Sequence, residues 1–440
     1  MSHAFAATLR SVETVGRAGR VTRILGTHLE ADGPDLPLGA LCSVEARGAK
    51  GGSVLASIAR IDETRILLTP FETAAGAFLG ARVAGLPGEG SVPVGDAFLG
   101  RAVDAFGRPI DGGPPIASDA RGRLHGAGNV ALERTTPRQA LDTGIRAIDT
   151  LLTLGRGQRV GLFAAAGVGK TSLLTQLARQ VEADRCVVCL VGERGREVEA
   201  LWSGGLPEET RARTVLVAAT SDESAPMRVR AGDYALALAD HWRGEGHHVV
   251  LLLDSVTRLA MALREVGLAA GEPPTVRAYT PGVFAAIPKL VERCGALKSG
   301  GAITALMTVL SETDDVDDPV SEMMKSLLDG HIILSRSLAE QSHFPAIDVP
   351  KSVSRAAKAL NAGKAAFDAS KAVALLSTYD QARILIESGV YTAGATPAID
   401  EAIRRRPDLI AFLRQRHDEA TPRADARAAL ARIVAEGTGA

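Results

Sequence analysis

The segment AAAGVGKTSLL at residues 164–174 has the residue types and spacing that bind the phosphates of a nucleotide. Gly167 and Gly169 let the backbone fold around phosphate oxygens, so that its amide N–H groups point inward. Lys170 supplies a cation for the β- and γ-phosphates, and the hydroxyl of Thr171 is a ligand for Mg²⁺. The segment follows an apolar run and opens a helical pattern, so a helix dipole adds to the attraction for anions. The sequence therefore predicts a phosphate-binding loop.

This loop departs from the pattern G-x-x-x-x-G-K-[ST] at one position, because Ala164 replaces the first glycine. Alanine is accommodated there unless the backbone requires a positive φ angle. A glycine-rich turn with a surface lysine is the alternative that involves no ligand. We expect nucleotide binding through the following residues: Ala164, Ala165, Ala166, Gly167, Val168, Gly169, Lys170 and Thr171.

Two carboxylates follow further apolar runs. HVVLLLD ends in Asp254, and a carboxylate at a strand end can hold Mg²⁺, although many buried strands end in Asp at a turn. VGERGREVE places Glu193 after the next predicted strand, where a carboxylate can orient and polarise an attacking water. Arg194 beside it can reach a phosphate oxygen or hold Glu193. By spacing alone, a surface cluster of ion pairs with Arg196 and Glu197 is an equal alternative.

From about residue 94, near-continuous apolar runs alternate with helical patterns, which is typical of a parallel sheet covered on both faces. Ligands of such sheets bind at the carboxyl ends of the strands, where the phosphate loop and both carboxylates lie. The predicted strands are 159–164, 186–192, 214–220, 248–254, 302–310 and 331–335.

Two other patterns flank this region. From about residue 18, short apolar runs alternate with Gly, Pro and Asp turns, which predicts a small all-β unit, a barrel. After about residue 356 the strand patterns stop and helical patterns follow. We therefore expect a multidomain α/β protein: a helix at 1–17, a β-barrel at 18–93, a P-loop α/β nucleotide-binding domain at 94–356 and an α-helical domain at 357–440.

Composition argues against several other classes of protein. A formal net charge of -1 provides none of the bulk positive charge that usually binds nucleic acid or anionic lipid. No stretch approaches the ~18 apolar residues of a membrane-spanning helix. Arg10 and Glu13 interrupt the N-terminus where a signal peptide is apolar, so we expect the chain to stay in the cytosol. Cys186 and Cys189 form a C-x-x-C in a predicted strand and face opposite sides there, so we expect reduced thiols without chemistry.

Together with PAIDVPKSVSR at 345–355, these segments resemble the catalytic-subunit superfamily of rotary ATPases. The likeness is greatest to the type III export ATPases, flagellar or injectisome, and covers roughly residues 18–415. It includes FLGRAVDAFGRPIDG, GIRAIDTLLTLGRGQRVGLFA, DSVTRLAMALREVGLAAGEPP and LLDGHIILSRSLAEQSHFPAID. The resemblance implies a RecA-like nucleotide-binding domain between the barrel and the C-terminal helices.

The resemblance also implies roles for residues at matching positions. Residues 164–171 would form the phosphate loop, with Lys170 among the catalytic residues. Glu193 would act on the attacking water, Arg194 and Arg258 would flank the phosphates, and Asp254 would lie near Mg²⁺.

Two further roles come from the same resemblance. Phe344 would stack on adenine, and Arg355 would be an arginine finger that reaches a neighbouring subunit's site, which is worth roughly 10³–10⁵ in rate. F-type synthases divide the catalytic Glu and this arginine between two kinds of subunit, whereas this chain carries both Glu193 and Arg355. A ring of identical subunits can then complete every site, and we expect a homohexamer.

The expected activity is therefore hydrolysis of ATP to ADP with Mg²⁺, which energises protein export through a flagellar type III apparatus. The implied partners are the chain itself, a coiled-coil stalk protein, the membrane export gate, and export chaperones and substrates, with no specific nucleic acid. A stator-like regulator would dock on Phe5, Leu9 and Val12 of the N-terminal helix. The expected location is cytoplasmic, docked peripherally at the inner-membrane secretion apparatus.

Some alternatives stay open. An injectisome ATPase shares the visible motifs, and a subunit of a rotary ATP synthase or proton pump shares the chemistry. An RNA translocase needs aromatic platforms, whereas residues 18–93 contain only Phe71 and Phe78 as aromatics. A catalytically silent nucleotide-binding subunit would not need the intact acidic and basic residues. SETDDVDDP at 311–319 departs from the family's usual EGDD-M-NEP-like stretch, which leaves nucleotide-dependent movement of this loop in question.

Overall fold

A computed structural model describes residues 17–48, 50–86, 90–126, 131–311 and 318–435. The predicted N-terminal helix with Phe5, Leu9 and Val12 lies outside the described residues, as does most of SETDDVDDP. The chain divides into two compact units: Met1–Ser91 with Asp222–Arg230 and Met261–Ala285, and the remaining residues. The domain limits at residues 17, 93 and 356 stay predictions.

The first unit contains a closed barrel of six strands, in the order β1-β2-β5-β4-β3-β6, with every neighbouring pair antiparallel. Side chains alternate between the interior and the surface, as the buried Val54, Ala56 and Ile58 show. The predicted barrel is therefore confirmed. Its strands are β1 Ala18–Ile24, β2 Leu29–Ala31, β3 Leu41–Glu45, β4 Ser53–Ile61, β5 Ile66–Pro70 and β6 Arg82–Gly85.

The second unit is built on a mixed sheet. Its strands are β8 Ala102–Val103, β10 Arg134–Thr135, β11 Arg159–Ala164, β12 Arg185–Val191, β13 Thr214–Ala219, β14 His248–Asp254, β15 Gly295–Leu297, β16 Ala302–Leu310, β17 Gly330–Leu334 and β18 Val353–Ser354. The order is β18-β17-β11-β16-β14-β12-β13-β8, with β15 beside β16 and β10 beside β15. β7 Ser91–Pro93 and β9 Arg121–Arg123 pair separately.

The strands from β17 to β8 along this order are parallel, and β18 runs antiparallel to β17 at the edge. The six predicted strands correspond to β11, β12, β13, β14, β16 and β17, with each end within one residue. All except β17, in which buried and half-buried residues alternate, are buried over nearly their whole length, which explains why they appear in the sequence as continuous apolar runs.

The helices are α1 Lys170–Gln180, α2 Gly195–Glu199, α3 Glu208–Ala212, α4 Ala225–Gly244, α5 Val256–Ala269, α6 Pro281–Arg293, α7 Pro319–Leu327, α8 Arg336–Glu340, α9 Ala357–Leu360, α10 Lys364–Glu387, α11 Pro397–Leu413 and α12 Arg423–Ala435. Short 3₁₀ turns occur at Lys50–Gly52, Asp96–Phe98, Ala131–Glu133 and Val276–Ala278, and π turns at Ala147–Leu151 and Ala200–Gly205. None of the helices among the described residues combines the length and the apolar character that crossing a lipid bilayer requires.

One hydrophobic core extends from the sheet of the second unit into the C-terminal helices. It includes Leu162 and Leu252 of the strands, Leu376 of α10, Phe412 of α11 and Leu430 of α12. Burying such a side chain contributes about 1.5–3 kcal/mol. The C-terminal helices are therefore packed directly against the layer that carries the phosphate loop.

All four cysteines are buried, and none of them forms a disulfide. Cys186 belongs to the core on one face of the sheet, while the thiol of Cys189 lies 3.6 Å from the carbonyl oxygen of Ala231 in α4. Burial raises the pKa of the Cys186 thiol to about 11, which keeps it protonated and unreactive at neutral pH.

The packing of the barrel leaves no space for a side chain at Gly19. A Cβ atom at this position would lie 2.3 Å from the carbonyl carbon and oxygen of Gly33, which are backbone atoms and cannot turn aside. We expect Gly19→Ala to lower the thermal midpoint of unfolding, because overpacking lowers the free energy of unfolding by about 1–3 kcal/mol. Gly26→Ala is the matched control, because no atom lies within 4 Å of its added Cβ. Equal midpoints for the two variants would contradict this packing.

Candidate active site

The phosphate loop joins β11 to α1 and has the backbone geometry that its glycines predict. Gly167 and Gly169 have φ angles of 81° and 91°, in the region that residues with a side chain rarely adopt. Ala164 closes β11 and is not among the described non-glycine residues with a positive φ. Its replacement of the first glycine therefore introduces no strain. The helix begins at Lys170, and the N–H groups of its first turn have no partner within the helix.

The other residues of the loop divide between the core and the surface. Ala165 and Val168 are buried, which fixes the loop on the sheet. Ala166 and Thr171 are exposed, so the Thr171 hydroxyl is available to a ligand on the open side of the loop.

Lys170 lies between two buried carboxylates at the carboxyl end of the sheet. Its ammonium nitrogen is 2.5 Å from Asp254 Oδ1 and 3.4 Å from Glu193 Oε1. Asp254 ends β14, Glu193 follows β12, and each is only 2% exposed. The parallel strands thus bring together three predicted residues that are far apart in the sequence.

Thr308 of β16 is a further member of this group that the sequence analysis did not identify. Its hydroxyl donates a hydrogen bond of 2.6 Å to Asp254 Oδ1, and it is fully buried. The bond fixes the carboxylate from the neighbouring strand. A hydroxyl near the end of the apolar run AITALMTVL was the available signal.

Of the two arginines predicted to flank the phosphates, Arg258 lies against Glu193. Its Nε is 3.2 Å from Glu193 Oε1, and its guanidinium donates to the carbonyl oxygen of Gly192. Arg194 immediately precedes α2, is exposed, and makes no side-chain hydrogen bond or ion pair with the described residues. Arg258 therefore restrains the carboxylate, and Arg194 extends into solvent.

The surroundings of Glu193 make its ionised form unfavourable. Burial raises the pKa of this carboxyl, and the charge of Asp254 raises it further. Lys170 and Arg258 act in the opposite direction, but the net shift is upward. A carboxylate with a raised pKa is a better proton acceptor than an exposed glutamate, as a base acting on water requires.

Phe344 lies beside the phosphate loop. A Cβ atom on Gly169 would be 3.4 Å from the Phe344 ring, so the ring is in van der Waals range of the loop. The ring is 45% exposed and lines a cavity of about 540 Å³. The sequence analysis did not identify a second group of lining residues between α11 and α12: Arg414, Gln415, Arg416, His417 and Glu419. An exposed aromatic ring beside a phosphate loop can stack on a nucleobase.

The segment before Arg355 is anchored by two serines. The Ser352 hydroxyl donates to the carbonyl oxygen of Asp348 at 2.6 Å, and the Ser354 hydroxyl donates to that of Thr153 at 2.7 Å. The Arg355 side chain is exposed and forms no hydrogen bond or ion pair with the part of the chain that the structure describes.

The position of Arg355 in the sheet is opposite to that of the phosphate loop. Its N–H donates to the carbonyl oxygen of Asp329 at 3.0 Å, just before β17 begins. The phosphate loop leaves the sheet after Ala164, which pairs with Leu334 at the other end of β17. Five residues of strand separate the two ends, or about 16 Å, which exceeds the reach of an arginine side chain. Arg355 therefore does not reach Lys170 of its own chain.

Comparison with known proteins identifies the family of the chain. Residues 144–354 match the ATP synthase alpha/beta family, nucleotide-binding domain, and residues 365–432 match the T3SS EscN ATPase C-terminal domain. The chain is 44% identical over 420 residues to the flagellum-specific ATP synthase of Salmonella typhimurium, covering 93% of this chain and 92% of the relative. The chain belongs to the type III export ATPase family.

Two further relatives represent the injectisome branch. The SPI-2 type 3 secretion system ATPase of Salmonella typhimurium is 44% identical over 405 residues, with 92% of each chain covered. The assembled ATPase EscN of enteropathogenic E. coli, solved in complex with its central stalk EscO, superposes with a TM-score of 0.87. It is 37% identical, and the match covers 94% of this chain and 100% of EscN.

The residues of this export ATPase fit a magnesium ion that is bound together with a nucleotide. Mg²⁺ prefers oxygen ligands and is usually held by one or two carboxylates, waters and substrate phosphates. Asp254 and the exposed hydroxyl of Thr171 supply such oxygens. Within the described ranges no group of three or more His, Cys, Asp or Glu side chains suits a metal ion by itself. The nucleotide would therefore supply part of the coordination.

The raised pKa of Glu193 predicts how stability depends on pH. Because the folded protein holds this proton more tightly than the unfolded chain, stability falls as pH rises from the ordinary glutamate pKa through the raised one. Glutamine carries no charge and avoids this loss. We expect Glu193→Gln, without nucleotide and with chelator, to unfold at a higher temperature than wild type at pH 7.5, and the difference to vanish near pH 4.

Glu199→Gln on the exposed end of α2 is the control, and we expect no comparable gain from it. A Glu193→Gln protein that is less stable than wild type at pH 7.5 would show that Lys170 and Arg258 overcompensate the buried charge.

Proposed function

We propose that this export ATPase hydrolyses ATP with Mg²⁺ as a homohexamer and energises protein export through a flagellar type III secretion apparatus. The observation that supports a ring of subunits is that Arg355 and Lys170 lie at opposite ends of the same sheet. The exposed guanidinium of Arg355, which has no partner among the residues that the structure describes, is then available to the phosphates of a neighbouring copy. A closed ring of identical subunits gives every site its arginine.

The chemistry that we propose uses the residues at the carboxyl end of the sheet. Lys170 and the loop N–H groups bind the phosphates, while Thr171 and Asp254 would hold Mg²⁺, which would neutralise part of the phosphate charge. Glu193 orients a water and accepts its proton as the water oxygen bonds to the γ-phosphorus. The bond between the γ-phosphorus and the bridging oxygen breaks, and ADP leaves. The proton held by Glu193 passes to the phosphate product.

In this proposal the remaining residues have supporting roles. Arg258 holds Glu193 in place, and Arg355 of the next copy stabilises the charge that develops on the transferred phosphoryl group. Phe344 stacks on adenine. Arg194 is exposed beside Glu193 and is available to a phosphate oxygen.

The partners follow from the family rather than from a site in the chain. EscN is described with a central stalk, EscO, and we propose a coiled-coil stalk protein for this chain as well. We further propose a stator-like regulator at the N-terminus, a membrane export gate, and export chaperones with their substrates. The chain would act in the cytoplasm, docked at the inner-membrane apparatus.

We propose the flagellar branch of the family for this chain. The flagellar relative and the SPI-2 relative are equally identical to this chain, but the flagellar match spans 420 residues and the other 405. Loss of swimming on deletion of the gene, restored by the wild-type chain, tests this choice. Intact motility with loss of effector secretion would favour the injectisome branch.

Phosphate release tests the shared site. We expect the specific activity of wild type to rise steeply with protein concentration, because each site needs a neighbour. We expect Glu193→Gln and Arg355→Ala to bind ATP but to hydrolyse it at least ~100-fold more slowly. Lys358→Ala, an exposed cation three residues beyond Arg355, is the control and should keep wild-type activity.

Full activity of Arg355→Ala, or a specific activity that does not depend on concentration, would contradict the ring of identical subunits. Copurification with unlike α/β-type subunits would then favour the subunit of a rotary ATP synthase.

A further inference from the structure

Part of the wall of the proposed nucleobase cavity comes from the C-terminal part of the chain. We call residues 414–419, between α11 and α12, the wall loop. All of its residues except Asp418 line the cavity of about 540 Å³, together with Gly169 and with Ser172, Leu173 and Gln176 of α1. The base site is therefore complete only while the wall loop is held against the nucleotide-binding part.

Arg146 attaches the wall loop and its flanks at four residues, and the side-chain amides of Gln176 and Gln180 in α1 also donate to the carbonyl oxygen of Glu419. Its Nε donates to the carbonyl oxygen of Phe412 at 2.7 Å, and one terminal nitrogen donates to the Thr421 hydroxyl at 3.3 Å. The guanidinium also donates to the Glu419 carboxylate and to the carbonyl oxygen of Arg414. Only a planar fork of donors can make this set of bonds, because the acceptors lie on four residues in different directions.

Gln415 connects the wall loop to Phe344 and to the segment before Arg146. Its N–H donates to the carbonyl oxygen of Phe344 at 2.8 Å, which joins the wall loop directly to the residue whose ring lines the same cavity. Its side-chain amide donates to the carbonyl oxygen of Gly144 at 2.7 Å and to that of Glu419 at 2.9 Å. The amide oxygen accepts the N–H of Arg146 at 2.9 Å. Gln415 is 5% exposed, so these bonds are made away from water.

We infer that Arg146 and Gln415 are positioning residues that hold the wall loop in place for the nucleobase. Neither is needed for the phosphates, which bind at the loop that ends in Lys170. The affinity for the nucleobase therefore depends on the position of α11 and α12, whereas the affinity for the phosphates does not. This inference rests on the proposed function, because it assigns the cavity to the base of the ATP that is hydrolysed.

The coupling works in both directions. If the base binds more tightly when the wall loop is attached, then the bound base must stabilise that attachment by the same free energy. A partner that displaces α11 or α12 would lower the affinity for ATP and ADP without touching the phosphate loop. Nucleotide affinity is thereby linked to whatever contacts the C-terminal helices.

A comparison of ADP with inorganic diphosphate separates the base from the phosphates. We expect Arg146→Lys and Gln415→Glu to raise the dissociation constant of Mg²⁺-ADP about tenfold in calorimetry, a loss that corresponds to removing one or two buried hydrogen bonds. The dissociation constant of Mg²⁺-diphosphate should stay within about twofold of wild type. Lysine keeps the charge of Arg146 but lacks the fork, and glutamate keeps the shape of Gln415 but cannot donate to Gly144.

Arg423→Ala is the matched control. Arg423 ties α12 to Asp142 of the nucleotide-binding part at 3.6 Å but does not line the cavity. We expect unchanged affinity for both ligands. The same split should appear in turnover: a KM for ATP about tenfold higher in Arg146→Lys, with kcat within about twofold, because the reacting phosphates are unaffected.

Wild-type affinity for ADP in both variants would overturn the inference. So would an equal loss of affinity for diphosphate, or an equal effect of Arg423→Ala, since either would indicate general loosening. Thermal unfolding of each variant shows whether it is folded. If Arg146→Lys is not folded, the affinities of Gln415→Glu for ADP and diphosphate test the inference instead. A failure of the proposed function is distinguishable: wild type would bind ADP as described but release no phosphate from ATP.

Discussion

The direction of the parallel strands is the constraint on which the site depends. Strands β11, β12 and β14 run the same way, so the phosphate loop, Glu193 and Asp254 must all emerge at one end of the sheet. Strand β18 runs the other way, so the residue that follows it emerges at the opposite end. One chain therefore brings the phosphate loop and both carboxylates together but does not bring its own Arg355 to them. In the proposed mechanism the subunit is incomplete by itself, and a neighbouring copy in the ring supplies the arginine.

Burial of charge is the second feature that organises the site. Two carboxylates that are each 2% exposed share the ammonium of Lys170, and Arg258 adds a second cation beside Glu193. The raised pKa of Glu193 shows that these cations do not fully offset burial and the neighbouring Asp254. The arrangement is a strained electrostatic balance, which is a feature of sites that bind a charged ligand and move protons. We propose that the phosphates and the ion that they carry change this balance, and that the wall loop holds the adenine ring separately.

Much of this structure could be predicted from the sequence because its signals are local. Buried parallel strands are continuous apolar runs, and the phosphate loop is defined by glycines whose φ angles only they adopt readily, as Gly167 and Gly169 show. Other features depend on contacts between distant segments. Nothing near Thr308 reveals that it bonds to Asp254, 54 residues earlier in the chain. The sequence offered Arg194 to hold Glu193, whereas Arg258 makes this contact, since the choice depends on how α5 packs. The wall loop was missed for the same reason, because its bonds to Arg146 cross more than 260 residues.

The most direct test of the account is to mix two inactive variants. Lys170→Ala lacks the phosphate-binding ammonium but supplies Arg355, and Arg355→Ala has the opposite defect. The two proteins are combined at low concentration, concentrated together with Mg²⁺-ATP, and assayed for phosphate release. We expect each alone to be nearly inactive and the equal mixture to recover up to about a quarter of the wild-type rate, because half of the phosphate loops are intact and half of those face an intact arginine. A mixture no faster than the sum of its parts would contradict the account and place the whole site within one chain.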